Sequence, residues 1–260
     1  MEKFPLTDFT LEPQCLANKV ILITGAGSGI GRSLALAAAK HGATCILAGK
    51  TLKKLEALYD EITTAGFPEP AIHPINLLRA EPQHAFELAQ SIDTMFGRLD
   101  AVIHNAAITG QICQTDLLPP QQWQQVMQLN VNVPYLLTHA LLSLLRKSDT
   151  ASIVFTTADE ALQGKAYWSA YSASKFGLLG FAQALHQELE ENTTIRVNCI
   201  NPGKVRTNLR ARIYPGIDPM TWPAPEEIIE QYIYVLSDDA KAIRGKWIEL
   251  APIHQPHAVC

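Results

Sequence analysis

Val20-Ile21-Leu22-Ile23-Thr24-Gly25-Ala26-Gly27-Ser28-Gly29-Ile30-Gly31 is the stretch that decides the fold. Its apolar, β-branched start reads as a buried strand, its glycines as a turn, and Leu34-Ala35-Leu36-Ala37-Ala38-Ala39 just beyond as a helix. A glycine turn that opens a helix lets backbone N–H groups approach a pyrophosphate closely, with the positive end of the helix dipole behind them. The spacing is not G-x-G-x-x-G, because the positions its last glycine would need hold Ile30 or Arg32. It is T-G-x-x-x-G-x-G.

Outward from this turn, short apolar runs alternate with helical patterns. Strands are expected near 20–24, 43–48, 71–75, 100–104, 151–157, 195–200 and 246–250, and helices near 29–41, 51–65, 82–96, 120–147, 170–191 and 225–237. Strands separated by helices imply an α/β fold, a doubly wound parallel sheet of Rossmann type with helices on both faces. Residues 1–18 read as a lead-in segment, and 203–224, rich in Pro, Gly and Arg, as an excursion before the last helix. At 260 residues, 47% of them hydrophobic, the chain can bury a large core, and 1–260 reads as a single domain.

The composition excludes several classes of function. A net charge of −4 with no run of Lys or Arg leaves no electrostatic footprint for nucleic acid or an anionic membrane. No apolar stretch approaches the ~20 residues of a membrane span, and the N-terminus, with Glu2, Pro5, Asp8 and Glu12, lacks an apolar signal core, so the expected location is the cytoplasm. Cys15, Cys45, Cys113, Cys199 and Cys260 are scattered, which suits reduced thiols. His254 and His257 are three apart, but Pro256 breaks any helix that would align them, and no metal site is expected.

The chemistry sits in Tyr171-Ser172-Ala173-Ser174-Lys175, whose spacing puts a phenol and an ammonium on one helix face. A neighbouring cation favours phenolate, so Lys175 is expected to lower the Tyr171 pKa toward neutrality and make it a proton donor or acceptor. The helix at 120–147 is apolar on more than one side, and Leu178, Phe181, Ala182, Leu185 and Leu189 form a stripe on the next. These residues either pack within one chain or pair with a second copy.

The glycine turn, followed by Tyr-x-x-x-Lys some 145 residues later, resembles the short-chain dehydrogenase/reductase family in its single-domain form. The likeness runs over nearly the whole chain. His104-Asn105-Ala106-Ala107 stands where the family has Asn-Asn-Ala-Gly, Asn130 matches its helix asparagine, and Asn201-Pro202-Gly203 with Thr207 its nicotinamide-side segment. Within the family the chain resembles the bacterial YciK-like oxidoreductases, through Val131-Asn132, the run 198–203 and a tail without the usual terminal Gly-Gly.

The resemblance implies hydride transfer between a nicotinamide and a small carbonyl or alcohol, with Tyr171 as acid/base and Lys175 holding the ribose. Asn130 would hold a water through its backbone carbonyl. Pro134, four residues on and lacking an N–H, either frees that carbonyl or only kinks the helix. The implied cofactor contacts are Gly25, Ser28, Gly29, Ile30, Gly31, Lys50, Asn76, Leu77, Asn105, Ala106, Lys175, Pro202, Gly203, Val205 and Thr207. The strand ending Ala48-Gly49-Lys50 offers a lysine instead of the acid that would select NAD, so NADP is favoured. Arg32 either adds to that positive field or is solvated. The family also implies a homodimer or homotetramer.

One departure is large. Where the family has a serine 13 residues before the tyrosine, to bond the substrate carbonyl, this chain has Ala158. Losing one such donor costs on the order of 10²–10³ in rate in other enzymes, so a protein that binds NADP with weak or no turnover is the alternative. Thr157 could replace the donor only if the strand end shifts by one residue. Asp159 could bind a cationic substrate or, if protonated, donate in place of the serine.

Overall fold

The computed structural model describes residues 1–6 and 9–251. Eight strands form one sheet: β1 (Glu2–Pro5), β2 (Val20–Thr24), β3 (Thr44–Gly49), β4 (Ala71–Pro74), β5 (Ala101–His104), β6 (Ser152–Thr156), β7 (Arg196–Asn201) and β8 (Lys246–Glu249). All pairings are parallel, in the order β1-β8-β7-β6-β5-β2-β3-β4. Between them run α1 (Gly29–Lys40), α2 (Leu52–Thr64), α3 (Pro82–Phe96), α4 (Pro120–Met127), α5 (Val133–Leu145), α6 (Ser169–Glu190), α7 (Asn208–Ile213) and α8 (Ile229–Leu236).

The strands are legible as apolar runs because every residue of β2, β5, β6 and β7 is buried. Alternation sorts their side chains into two cores. Leu22, Ile46, Val102, Ile153 and Val197 pack under α3, α5 and α6. Ile21, Ile23, Leu47, Ile103 and Val154 pack under α1, α2 and α8. From β2 the chain winds outward through β3 and β4, and from β5 the other way through β6, β7 and β8. The crevice between the ends of β2 and β5 is therefore the topological switch point, where such sheets bind ligands.

The structure departs from the sequence expectations at four places. The lead-in carries β1, which pairs with the edge strand β8 and is clasped there by the Lys3–Glu249 and Lys246–Glu2 ion pairs. The helix expected over 120–147 is α4 and α5 joined by a π turn, Gln128–Asn132, in which the Val133 N–H reaches the Gln128 carbonyl. Strand β6 ends at Thr156, one residue short of the expected 157. The excursion at 203–224 contains α7, and the last helix begins as a 3-10 turn, Pro225–Glu227, before α8.

The apolar residues of the two long helices resolve largely as core: Leu137, Leu141, Leu144, Leu145, Leu178, Ala182, Leu185 and Leu189 are buried within the chain. What remains outward is aromatic, with Tyr135 and Phe176 about half exposed. No helix among the described residues is long and apolar enough to cross a membrane. His254, His257 and Cys260 lie outside the described residues, and among the described residues no cluster of His, Cys, Asp or Glu could hold a metal ion.

Candidate active site

Strand ends build the floor of the crevice. The Thr24 hydroxyl donates to the Ile103 carbonyl (3.2 Å) and accepts from the Asn105 and Ala106 N–H groups (2.9 and 3.1 Å). Asn105 Nδ2 returns a bond to the Thr24 carbonyl at 3.1 Å. The β2 and β5 ends are thus locked together, and the glycine turn closes over the lock. Gly25 has φ +72° and Gly29 φ +55°, which L side chains rarely adopt. A Cβ on Gly31 would stand 2.4 Å from the Gly25 carbonyl oxygen and 2.7 Å from Asn105 Nδ2. Gly31 therefore packs behind the turn and does not line the cleft, which corrects its expected place among the direct contacts.

A cleft of about 420 Å³ opens above this floor. Gly25, Ser28, Gly29 and Ile30 line it where α1 begins, and no side chain caps that helix or places an acid in its first turn. Its free N–H groups and dipole suit an anion. Lys50 and, one turn into α2, Lys54 line the β3 end, a second lysine the sequence reading missed although its spacing from Lys50 was visible. Asn76, Leu77, Asn105 and Ala106 continue the wall, and Pro202, Gly203, Val205 and Thr207 form the opposite one. The residues present fit a dinucleotide cofactor. Arg32 does not contribute: it is ion-paired with Glu61 on α2.

Tyr171 and Lys175, one turn apart on α6, also line the cleft and are both nearly fully buried. Lys175 Nζ lies 5.4 Å from the phenol ring centroid and donates to the Thr156 carbonyl at 2.9 Å. The expected lowering of the tyrosine pKa is not found. Burial pushes Tyr171 up, with Glu160 and Asp159 adding to the rise and Arg210 opposing it. Burial likewise pushes Lys175 down, to about 8. In the protein alone, desolvation is the leading influence on both groups.

Asn130 is buried outside the cleft lining, in the π turn. Its side-chain oxygen accepts from the Ile108 N–H (3.0 Å), and its Nδ2 donates to the Ile108 carbonyl (2.8 Å) and to Ser174 Oγ (3.0 Å). The side chain is spent on bracing the loop after β5 against α6, so any chemical role falls to the backbone carbonyl. Pro134 cannot donate to that carbonyl in the α register, and π turns of this kind recur at functional sites.

Beside Tyr171 the lining residues are Thr157, Ala158, Glu160 and Trp168. The Thr157 hydroxyl is buried and has no hydrogen-bond partner, although the residue lines the cleft beside Tyr171. Asp159 is exposed, accepts from Asn201 Nδ2 at 2.7 Å and does not line the cleft. The 3-10 turn Asp159–Ala161 carries it aside and brings Glu160 in instead, a residue the sequence reading passed over. Trp168 was also missed; it packs edge-on against Tyr171 with ring centroids 5.7 Å apart.

A family model described as short chain dehydrogenase matches residues 19–218. The chain belongs to the short-chain dehydrogenase family. It is 41% identical over 241 residues to the uncharacterized oxidoreductase YciK of Escherichia coli K12, covering 93% of this chain and 95% of that one. It superimposes on the short chain dehydrogenase from Shigella flexneri with a TM-score of 0.92 at 39% identity, over 97% of this chain and 98% of that one. A chain from Shigella flexneri 2a solved in complex with NADP gives a TM-score of 0.89 at 40% identity, over 92% and 99%.

The contact distances at Gly31 yield a direct expectation: Gly31→Ala drives a methyl into the Gly25 carbonyl and the Asn105 amide, and costs roughly 1–3 kcal/mol of stability. Gly216→Ala, in open space without a positive φ, stays within about 0.5 kcal/mol of the parent. Urea midpoints of the two variants decide it; equal midpoints would show that the turn relaxes freely.

Proposed function

We propose that this chain is an NADP-dependent oxidoreductase for a small carbonyl or alcohol, acting in the cytoplasm as one folded domain and a homodimer or homotetramer. The observation that carries the reading is the convergence of Tyr171 and Lys175 on the same cleft as the uncapped start of α1. NADPH, when bound, supplies the hydride for the carbonyl carbon. Tyr171 Oη gives its proton to the carbonyl oxygen, and Lys175 stabilises the phenolate left behind. Burial that pushes the phenol up keeps the proton on Tyr171 at neutral pH, which suits donation and hence reduction.

Two lysines at the β3 end, Lys50 and Lys54, with no carboxylate lining the cleft beside them, support the preference for the phosphorylated cofactor, as does the NADP complex of the Shigella relative. NADPH is expected to bind more tightly than NADH, and Lys50→Ala or Lys54→Ala to weaken NADPH by roughly tenfold while leaving NADH almost unchanged. Fluorescence titration of both nucleotides reads this out, and a preference for NADH that persists in the variants would end the assignment.

Ala158 favours a second reading, an NADP-binding protein with weak or no turnover, because the cleft beside Tyr171 offers no hydroxyl in the serine's place. The two readings separate on Ala158→Ser. A restored donor strengthens most with the developing oxyanion, so turnover should rise by on the order of 10² with NADPH affinity unchanged. Tyr171→Phe should abolish it, and Thr157→Val should leave it nearly intact because the Thr157 hydroxyl is buried. Inert parent and inert Ala158→Ser, each still binding NADPH, would favour the second reading.

Tyr135 and Phe176, exposed on α5 and α6, support self-association. Light scattering at micromolar concentration should give a multiple of the 28.6 kDa chain mass, reduced by Phe176→Glu; a monomer would leave those aromatics unexplained.

A further inference from the structure

Arg210 and Arg212 line the cleft, and the cofactor reading does not use them. Exposed Lys165, in the loop before α6, and Arg210, on α7, approach one ring at the mouth of the cleft. Lys165 Nζ lies 5.6 Å from the Tyr214 ring centroid and donates to the Tyr214 hydroxyl at 2.9 Å, not to a carboxylate. The Arg210 guanidinium lies 5.5 Å from the same centroid. Each is backed by a second aromatic: Lys165 stands 4.4 Å from the Trp168 ring, and Arg210 5.6 Å from that of Trp222.

Two like charges beside one ring repel, and a bound anion would relieve them. Among the described residues neither Lys165 nor Arg210 forms an ion pair, and Arg212, which lines the cleft with Arg210, forms none either. The nearby carboxylates are engaged or directed elsewhere. Asp218 caps its own turn through the Met220 N–H, and Asp159 holds Asn201. Glu160 lines the cleft two residues after Ala158, beside Tyr171. The wall beside Tyr171 thus carries the Glu160 carboxylate together with the Lys175 ammonium, and Arg210 lines the same cleft.

We infer that the substrate is an anionic carbonyl compound, an oxo acid or aldehyde acid, whose carboxylate is held between Lys165 and Arg210 while its carbonyl points inward to Tyr171. The inference rests on the oxidoreductase reading for the carbonyl end alone. Glu160, the one carboxylate lining the cleft among the described residues, disfavours an anion at its own position. Trp168 links the two ends: it lies under Lys165 and packs on Tyr171, so an anion seated at the mouth presses on the same aromatic that borders the phenol.

The test uses two oxo acids of graded length, 4-oxopentanoate and 6-oxoheptanoate, each against its methyl ester. Binding is followed by tryptophan fluorescence with and without saturating NADP. At least one acid should bind roughly tenfold more tightly than its ester, with the advantage shrinking as salt rises. Lys165→Gln and Arg210→Gln should each remove most of that advantage, and Arg210→Lys should retain part of it. Acids that bind no better than their esters, or an advantage that survives both neutral variants, would overturn the inference. So would an equal loss of NADPH affinity in those variants, since the cations would then belong to the cofactor. If the acid preference holds but no NADPH binds and no carbonyl is reduced, the anion site stands and the oxidoreductase reading falls.

Discussion

The lock between β2 and β5 is the constraint on which the rest depends. At this point the strand order departs in two directions, so the sheet presents a crevice instead of a continuous edge, and one threonine hydroxyl holds its two lips together. Thr24 Oγ1 uses both its donor and its acceptor capacity there, on Ile103, Asn105 and Ala106. With the lips fixed, the turn from β2 into α1 must pass close over Asn105, and only glycine permits the approach at position 31. The uncapped start of α1 then lines the cleft.

A second balance lies between burial and charge at Tyr171 and Lys175. Water exclusion raises the phenol and lowers the ammonium, so both lean toward their neutral forms. The low-dielectric surroundings that oppose ionisation also strengthen any interaction with charge that develops during reaction. His104, where the family has asparagine, obeys the same rule: stacked on Phe155 and bonded through Nε2 to Thr138 at 2.9 Å, it is held neutral by burial down to about 3. Tyr171, Lys175 and His104 are thus polar groups that burial holds toward their neutral forms.

What the sequence disclosed and what it hid follow from the range of each interaction. The glycine turn and the Tyr171–Lys175 pair are local spacings on a turn and on one helix face, and both lie in the cleft as the spacing implies. Strand β1 was illegible because four mixed residues gain their order from β8, 244 positions away. The exchange of Asp159 for Glu160 turned on a single 3-10 turn, whose rotation no periodicity records. Thr157 was undecided for the same reason: one residue of strand length determines which face its hydroxyl takes, and β6 ends at Thr156. The apolar stripe on α6 was a true periodicity, but periodicity alone does not say whether the chain itself or a second copy covers it.

The loss of the serine hydroxyl and the gathering of cations at the mouth are physically connected on the proposed reading. A donor beside the carbonyl acts at the reacting atoms, whereas a charge pair at the mouth acts at a distance, through binding that positions the substrate. Binding energy from a remote group can offset the cost of orienting the reacting one. A neutral carbonyl compound would find neither the serine hydroxyl nor an anchor here, and would sample many poses against Tyr171. An anionic one would be tethered at Lys165 and Arg210, so that Ala158 would cost it less than it costs a neutral substrate.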